Sequence, residues 1–290
     1  LQHLGLQLVS LAIVAAALTY TMDLSGRAAS LLGIALLTPS TGFILDSLDQ
    51  FDLPERARFW IKTKAIATEL VALAILFVAL QSTSTWELAQ SSLFIVVIII
   101  LLPVVFRLFA AFVVPHAPKS EFAFLMMVAV ACGVATYKMG VYYLVGAFVV
   151  GMAAQRLRAR IPELASERMM RSPDGFSSLL VPFYFFNAGL HIHPDELGLQ
   201  ALAFGAAFFV VGVTVRLALV CLHRRVAFGE TLRERLMVRT TLLTSLVFTL
   251  VIAGILQARF GVSPAVFGGL VIYAVLNSLV PALVLRVRIP

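Results

Sequence analysis

Ten apolar runs, each long enough or nearly long enough to cross a bilayer as a helix, dictate what this 290-residue chain can fold into. They lie at about 3–20, 28–47, 60–81, 91–114, 121–138, 141–155, 176–191, 198–222, 236–258 and 264–286. In hydrocarbon every backbone N–H and C=O must find its partner inside the protein, so only helices and closed barrels can span it. A barrel needs short alternating strands, and these runs are continuous. The expected fold is an all-α polytopic membrane protein. Composition agrees, with 61% of residues hydrophobic and 13% charged, about half the charged fraction of a soluble domain. Cys132 and Cys221 sit far apart in apolar runs and read as small buried hydrophobes.

A net charge of +7 invites a nucleic-acid reading, but the basic residues lie in short loops between the apolar runs. Arg27, Lys138 and Arg259 fall on one side, and Arg107 and Arg216 fall inside spans. The other lysines and arginines, among them Arg56, Lys64, Arg156 and Arg225, fall on the opposite side or on helix ends that abut it. The positive-inside rule makes that side cytoplasmic. Both ends of the chain are therefore expected inside, in the plasma (inner) membrane, with the lipid bilayer as partner and no nucleic acid. No GxGxxG, Walker-type loop, HExxH or CxxC occurs, so enzyme chemistry has no support and no cofactor is expected. The chain starts at Leu1, already in an apolar run and without an initiating Met, which suggests a fragment of a longer protein.

The polar residues inside these runs carry the functional signal. In Leu37-Thr38-Pro39-Ser40-Thr41-Gly42, Pro39 lacks an N–H and its ring clashes with the carbonyl four residues back, which interrupts a helix in mid-span. Thr38, Ser40 and Thr41 can bond the backbone groups so freed, and Gly42 admits another chain closely. In the next run Glu69 follows Thr68, about 8 Å deeper than Lys64. An ionised carboxylate there costs several kcal/mol unless it is paired, hydrated or protonated. Such a group can exchange a proton for a cation; the alternative is a structural Glu paired with Arg216 or a hydroxyl.

Arg216 either snorkels to the cytoplasmic face or holds the core together with its permanent charge. Thr240, Thr241, Thr244 and Ser245 put four hydroxyls into one run. They either back-bond to their own helix or mirror the Thr38–Thr41 break, although no Pro or Gly marks an unwinding point there. Gly146 and Gly151 suit close helix packing. Arg107 is expected to snorkel, Asn187 makes a polar notch, and His191 and His193 are assigned no role.

The pattern resembles the monovalent cation:proton antiporters of the cation:proton antiporter-2 type, including Kef-like potassium systems and sodium/hydrogen exchangers. Thr38–Gly42 is similar to the break in that family's first crossing helix, and Thr68-Glu69 to its Gln-Asp or Asn-Asp pair. Val145–Gly151 resembles its Gly-Ala-Phe-x-x-Gly helix, Val181–Leu190 its Phe-rich segment, Arg216 its core Lys/Arg, and Arg239–Val251 its second crossing helix. The resemblance covers essentially the whole chain. It implies an inverted-repeat antiporter fold with two broken crossing helices, of which the N-terminal three helices are missing here. It also implies a core at 1–81 and 198–290, an interface or scaffold part at 91–191, and a homodimer. A cytoplasmic regulatory domain outside this chain is a candidate partner. The implied activity is exchange of Na⁺ or K⁺ for H⁺ by alternating access. Glu69 would bind either ion, Thr68, Thr38, Ser40 and Thr41 would serve as neutral oxygen ligands, Arg216 would complete the electrostatics, and Thr244 and Ser245 would lie in the second crossing helix. The chain departs from the family in having Glu for Asp at position 69, Thr at 68, and no Gly-Gly-Glu near Thr244. A non-transporting antiporter-like scaffold or sensor subunit is the alternative these departures leave open.

Overall fold

The computed structural model describes residues 2–48, 54–117, 120–158, 167–228, 238 and 242–286, among which there are helices and no strand. In chain order the helices are α1 (Gln2–Met22), α2 (Gly26–Leu37), α3 (Thr41–Ser47), α4 (Glu55–Gln81), α5 (Thr85–Phe112), α6 (Glu121–Lys138), α7 (Tyr143–Arg158) and α8 (Glu167–Leu190). A short 3-10 turn (Pro194–Leu197) leads to α9 (Leu199–Phe228), α10 (Val247–Phe260) and α11 (Pro264–Arg286). The starts and stops follow local chemistry. Ser25 caps α2 by accepting from the Ala28 N–H at 3.3 Å, Gly261 ends α10 at φ 61°, and Pro264 opens α11 where its missing N–H costs nothing.

Two departures from the continuous runs matter. The run 28–47 is delivered as two helices, α2 and α3, separated by Thr38, Pro39 and Ser40. In the run 236–258, Val238 is helical, the stretch Leu243–Leu246 is unwound, and α10 begins at Val247. Among the described residues five helices are long and apolar enough to cross a membrane: Leu4–Met22, Glu55–Gln81, Thr85–Phe112, Glu121–Lys138 and Leu199–Arg225. Shorter apolar helices include Gly26–Leu37 and Val247–Phe260, the two that adjoin the breaks. The structure is thus an all-helical, multi-pass membrane protein.

The chain divides into two units, one of Leu1–Ala79 with His191–Pro290 and one of Leu80–Leu190. Within the second, Ile98, Leu102, Phe106 and Phe109 of α5 pack with Val128 of α6 and Val149 and Val150 of α7. Phe109 and Phe124 stack with ring centroids 3.7 Å apart. The opposite side of α5 exposes Leu93, Ile100 and Leu101, as a helix surrounded by hydrocarbon requires. Gly146 lets α7 approach α6, because a Cβ there would lie 2.5 Å from the Cys132 carbonyl oxygen. Packing is therefore its role, and an added Cβ at Gly151 would meet nothing within 4 Å.

Within the first unit, Ile44, Leu48, Trp60, Ile61, Ala65, Val220 and Leu242 form a core beneath the breaks. α9 and α11 run in close contact, and Gly205 permits it: a Cβ there would sit 2.6 Å from Ile272 Cγ2 and 2.8 Å from Ile272 Cβ. Gly205→Leu is expected to cost about 1–3 kcal/mol through overpacking, read as a lower thermal unfolding midpoint of the purified protein. An unchanged midpoint would show that the contact is slack.

Candidate functional site

The site grows from the backbone groups that the first break sets free. Pro39 donates nothing, so the Ala35 carbonyl loses its helical partner. Thr38 and Ser40 turn extended, at φ −87°, ψ 119° and φ −78°, ψ 96°. Four of the groups at the break find partners far along the chain. The Ala35 carbonyl accepts from Thr249 Oγ1 at 2.8 Å and, more weakly, from Ser245 Oγ at 3.4 Å. The Leu36 carbonyl accepts from the Tyr273 hydroxyl at 2.6 Å, and the Thr38 carbonyl from Ser245 Oγ at 2.8 Å. The Ser40 N–H donates to the Thr244 carbonyl at 2.6 Å.

The second break is capped in the same fashion. Arg216 Nη1 donates to the Leu243 carbonyl at 3.0 Å and to the Tyr273 hydroxyl at 3.3 Å, and Nη2 donates to the Leu242 carbonyl. Asn277 Nδ2 donates to the Leu243 carbonyl and, at 3.2 Å, to the Tyr273 hydroxyl. Tyr273, Asn277, Ser245 and Thr249 are all fully buried, so these bonds are shielded from competing partners. Two interrupted helices thus cross, and each supplies partners for the other's backbone. The missing Pro or Gly near Thr244 is no obstacle: the stretch unwinds because side chains from α9 and α11 take its carbonyls.

Around the crossing three buried hydroxyl oxygens have no hydrogen-bond partner: those of Thr38, Thr41 and Thr244. Glu69, half-buried on α4, has its carboxyl near the Thr41 hydroxyl, without the geometry of a full hydrogen bond. The sequence-derived residues therefore separate into two groups. Glu69, Thr41, Thr38 and Thr244 gather at the crossing, while Ser245 and the backbone of Ser40 hold it together. Thr68 donates to the Lys64 carbonyl at 2.8 Å and, with Lys64 and Arg216, lines a cavity that also touches Pro39 of the first break and Leu243 of the second. Arg216 does not snorkel; its described bonds go to the second break. Arg107, by contrast, is exposed. Thr240 and Thr241 lie outside the described residues.

Sequence reasoning missed Lys64, Thr249, Tyr273 and Asn277. Lys64, counted there with the charged cytoplasmic end, is 6% exposed and donates to Gln7 Oε1 at 3.3 Å. Its spacing offered a clue, since Lys64 and Thr68 stand four apart on one face of α4. Tyr273 and Asn277 repeat the same i, i+4 spacing in the last run, a polar stripe on an otherwise apolar helix.

The family described as "Sodium/hydrogen exchanger, transmembrane" matches residues 1–287. No curated protein matches the chain. With a match over nearly its whole length, the chain belongs to the transmembrane sodium/hydrogen exchanger family, a family of cation/proton exchangers.

Proposed function

We propose that this protein is a secondary-active antiporter that exchanges Na⁺ or K⁺ for H⁺ by alternating access, with Glu69 binding either ion. The observation that carries the reading is the set of three buried hydroxyls, Thr38, Thr41 and Thr244, without hydrogen-bond partners at the crossing of two broken helices, one of them beside Glu69. A buried hydroxyl left unpaired is costly, and hard cations take oxygen ligands of this kind. Broken helices around an ion site are also the common architecture of secondary transporters. One carboxylate that is either protonated or cation-bound gives a 1:1 electroneutral exchange. Residues 1–81 and 198–290 would carry the ion, 91–191 would serve as the interface part of a homodimer in the plasma membrane, and both ends of the chain would be cytoplasmic. A resident cofactor has no place in this scheme, and the cations are cargo.

The test is proton release from acid-loaded proteoliposomes holding the protein, with Na⁺, K⁺ and Li⁺ added in turn. Cation-evoked alkalinisation is the expected result, and the most effective ion names the cargo. A flat trace for every cation from demonstrably folded protein would favour a non-transporting scaffold or sensor subunit instead.

A further inference from the structure

The cavity that holds Lys64 has a chemistry opposite to that of the crossing. It measures ≈ 30 Å³ and is lined by Gln7 and Ser10 of α1, Lys64 and Thr68 of α4, and Arg216 of α9, with apolar residues of both breaks beside them. By that measure it has room for one or two water-sized occupants, which matches a small ion. Its polar groups are mostly donors. The Lys64 ammonium gives one of its three N–H groups to Gln7 Oε1. That bond orients the Gln7 amide so that Nε2, on a side chain 4% exposed, is left without an acceptor. Arg216 adds a second full charge, and among the described residues no carboxylate lines the space. Glu69, five residues along α4, has its carboxyl near Thr41 at the crossing. Nearby, Arg224 lies 4.6 Å over the Trp60 ring, and His223 stacks on the same ring at 6.1 Å. Both belong to α9.

Two like charges and a buried, orphaned amide N–H around one small space call for a negative occupant. Water would satisfy the amide and leave the charge repulsion standing. We infer that the Gln7–Lys64–Arg216 cavity binds a small monovalent anion of the halide class, chloride being the abundant one. The anion accepts from Lys64 Nζ and Gln7 Nε2 and neutralises the pair of cations beside the crossing. Because Arg216 also caps the second break, occupancy stabilises the crossing itself. The anion's ligands differ from those of the cation proposed above, although the cavity adjoins the crossing at Pro39 and Leu243, and its test reads binding without transport, so either reading can fail alone.

Radiolabelled chloride binding to the purified full chain, in choline salts with gluconate keeping ionic strength fixed, decides the matter. A saturable component approaching a single ion per chain is expected, with a thermal midpoint that rises with chloride as occupancy rises. Lys64→Gln, which removes a charge, should lose that component. Gln7→Glu, which supplies a built-in negative group, should lose it while folding at least as stably in gluconate as the native chain does in chloride. Where Lys64→Gln fails to fold, Gln7→Glu alone decides. Absence of saturable chloride binding in the native chain, or a component unchanged in the folded variants, overturns the proposal.

Discussion

Glu69→Gln is expected to bring cation-evoked proton movement down to the level of protein-free liposomes. The substitution keeps the side chain's length and shape but removes both its proton-exchanging oxygen and its negative charge. What remains at the crossing, Thr38, Thr41 and Thr244, offers neutral oxygens alone, which can ligate a cation but cannot trade it for a proton. Thr41→Val makes the complementary case. It keeps the carboxylate and deletes the hydroxyl beside it, so the cation concentration for half-maximal exchange should rise about tenfold, as loss of roughly 1–2 kcal/mol of ligation implies. The maximal rate should stay close to that of the native protein. Persistent exchange in Glu69→Gln would remove this residue from the mechanism and leave the orphaned hydroxyls without a functional account.

Arg216→Met is the second large effect, and it is one of assembly. The guanidinium reaches the Leu242 and Leu243 carbonyls and the Tyr273 hydroxyl at once. Removing it leaves the Leu242 carbonyl buried without that donor, while Leu243 keeps Asn277. Hydrogen bonds from a charged donor contribute about 1.5–3 kcal/mol each. A total loss of roughly 2–4 kcal/mol is therefore expected, lowering the thermal midpoint in detergent by about 5–15 °C. Arg216→Lys should recover only part of it, because an ammonium is a point charge and cannot bridge three acceptors with a planar fork. A Met variant as stable as the native chain would mean that the second break holds itself open without α9.

The comparison of prolines shows why the fold was partly legible in the sequence. Pro39 interrupts its helix, yet Pro103 sits inside an unbroken α5, and Pro182 lies within α8. A proline states that one hydrogen bond is missing; it does not say whether the backbone opens. At Pro39 the outcome was settled by Thr249, Ser245 and Tyr273, more than 200 residues away. No local pattern carries that information. The second break makes the converse case: Leu243–Leu246 contains neither Pro nor Gly and still unwinds. Glu69 and Arg216 were visible because charge inside an apolar run is rare and expensive. Lys64 was hidden because it sits among Arg56, Arg58 and Lys62, where a further lysine reads as one more interfacial charge. Depth along a helix is a tertiary quantity, and here Gln7 of α1 reveals it.

The reciprocal capping at the crossing has a consequence for biosynthesis. The first break is made early, while Ser245, which takes up the Thr38 carbonyl, lies 207 residues later, and Tyr273 later still. Until those residues emerge and insert, the Ala35, Leu36 and Thr38 carbonyls and the Ser40 N–H must be held by water or by a membrane-resident chaperone, since even a temporarily continuous helix would leave the Ala35 carbonyl facing Pro39. A nascent chain halted before Ser245 is therefore a natural substrate for quality control, because its first half carries an open wound that only its last segments can close.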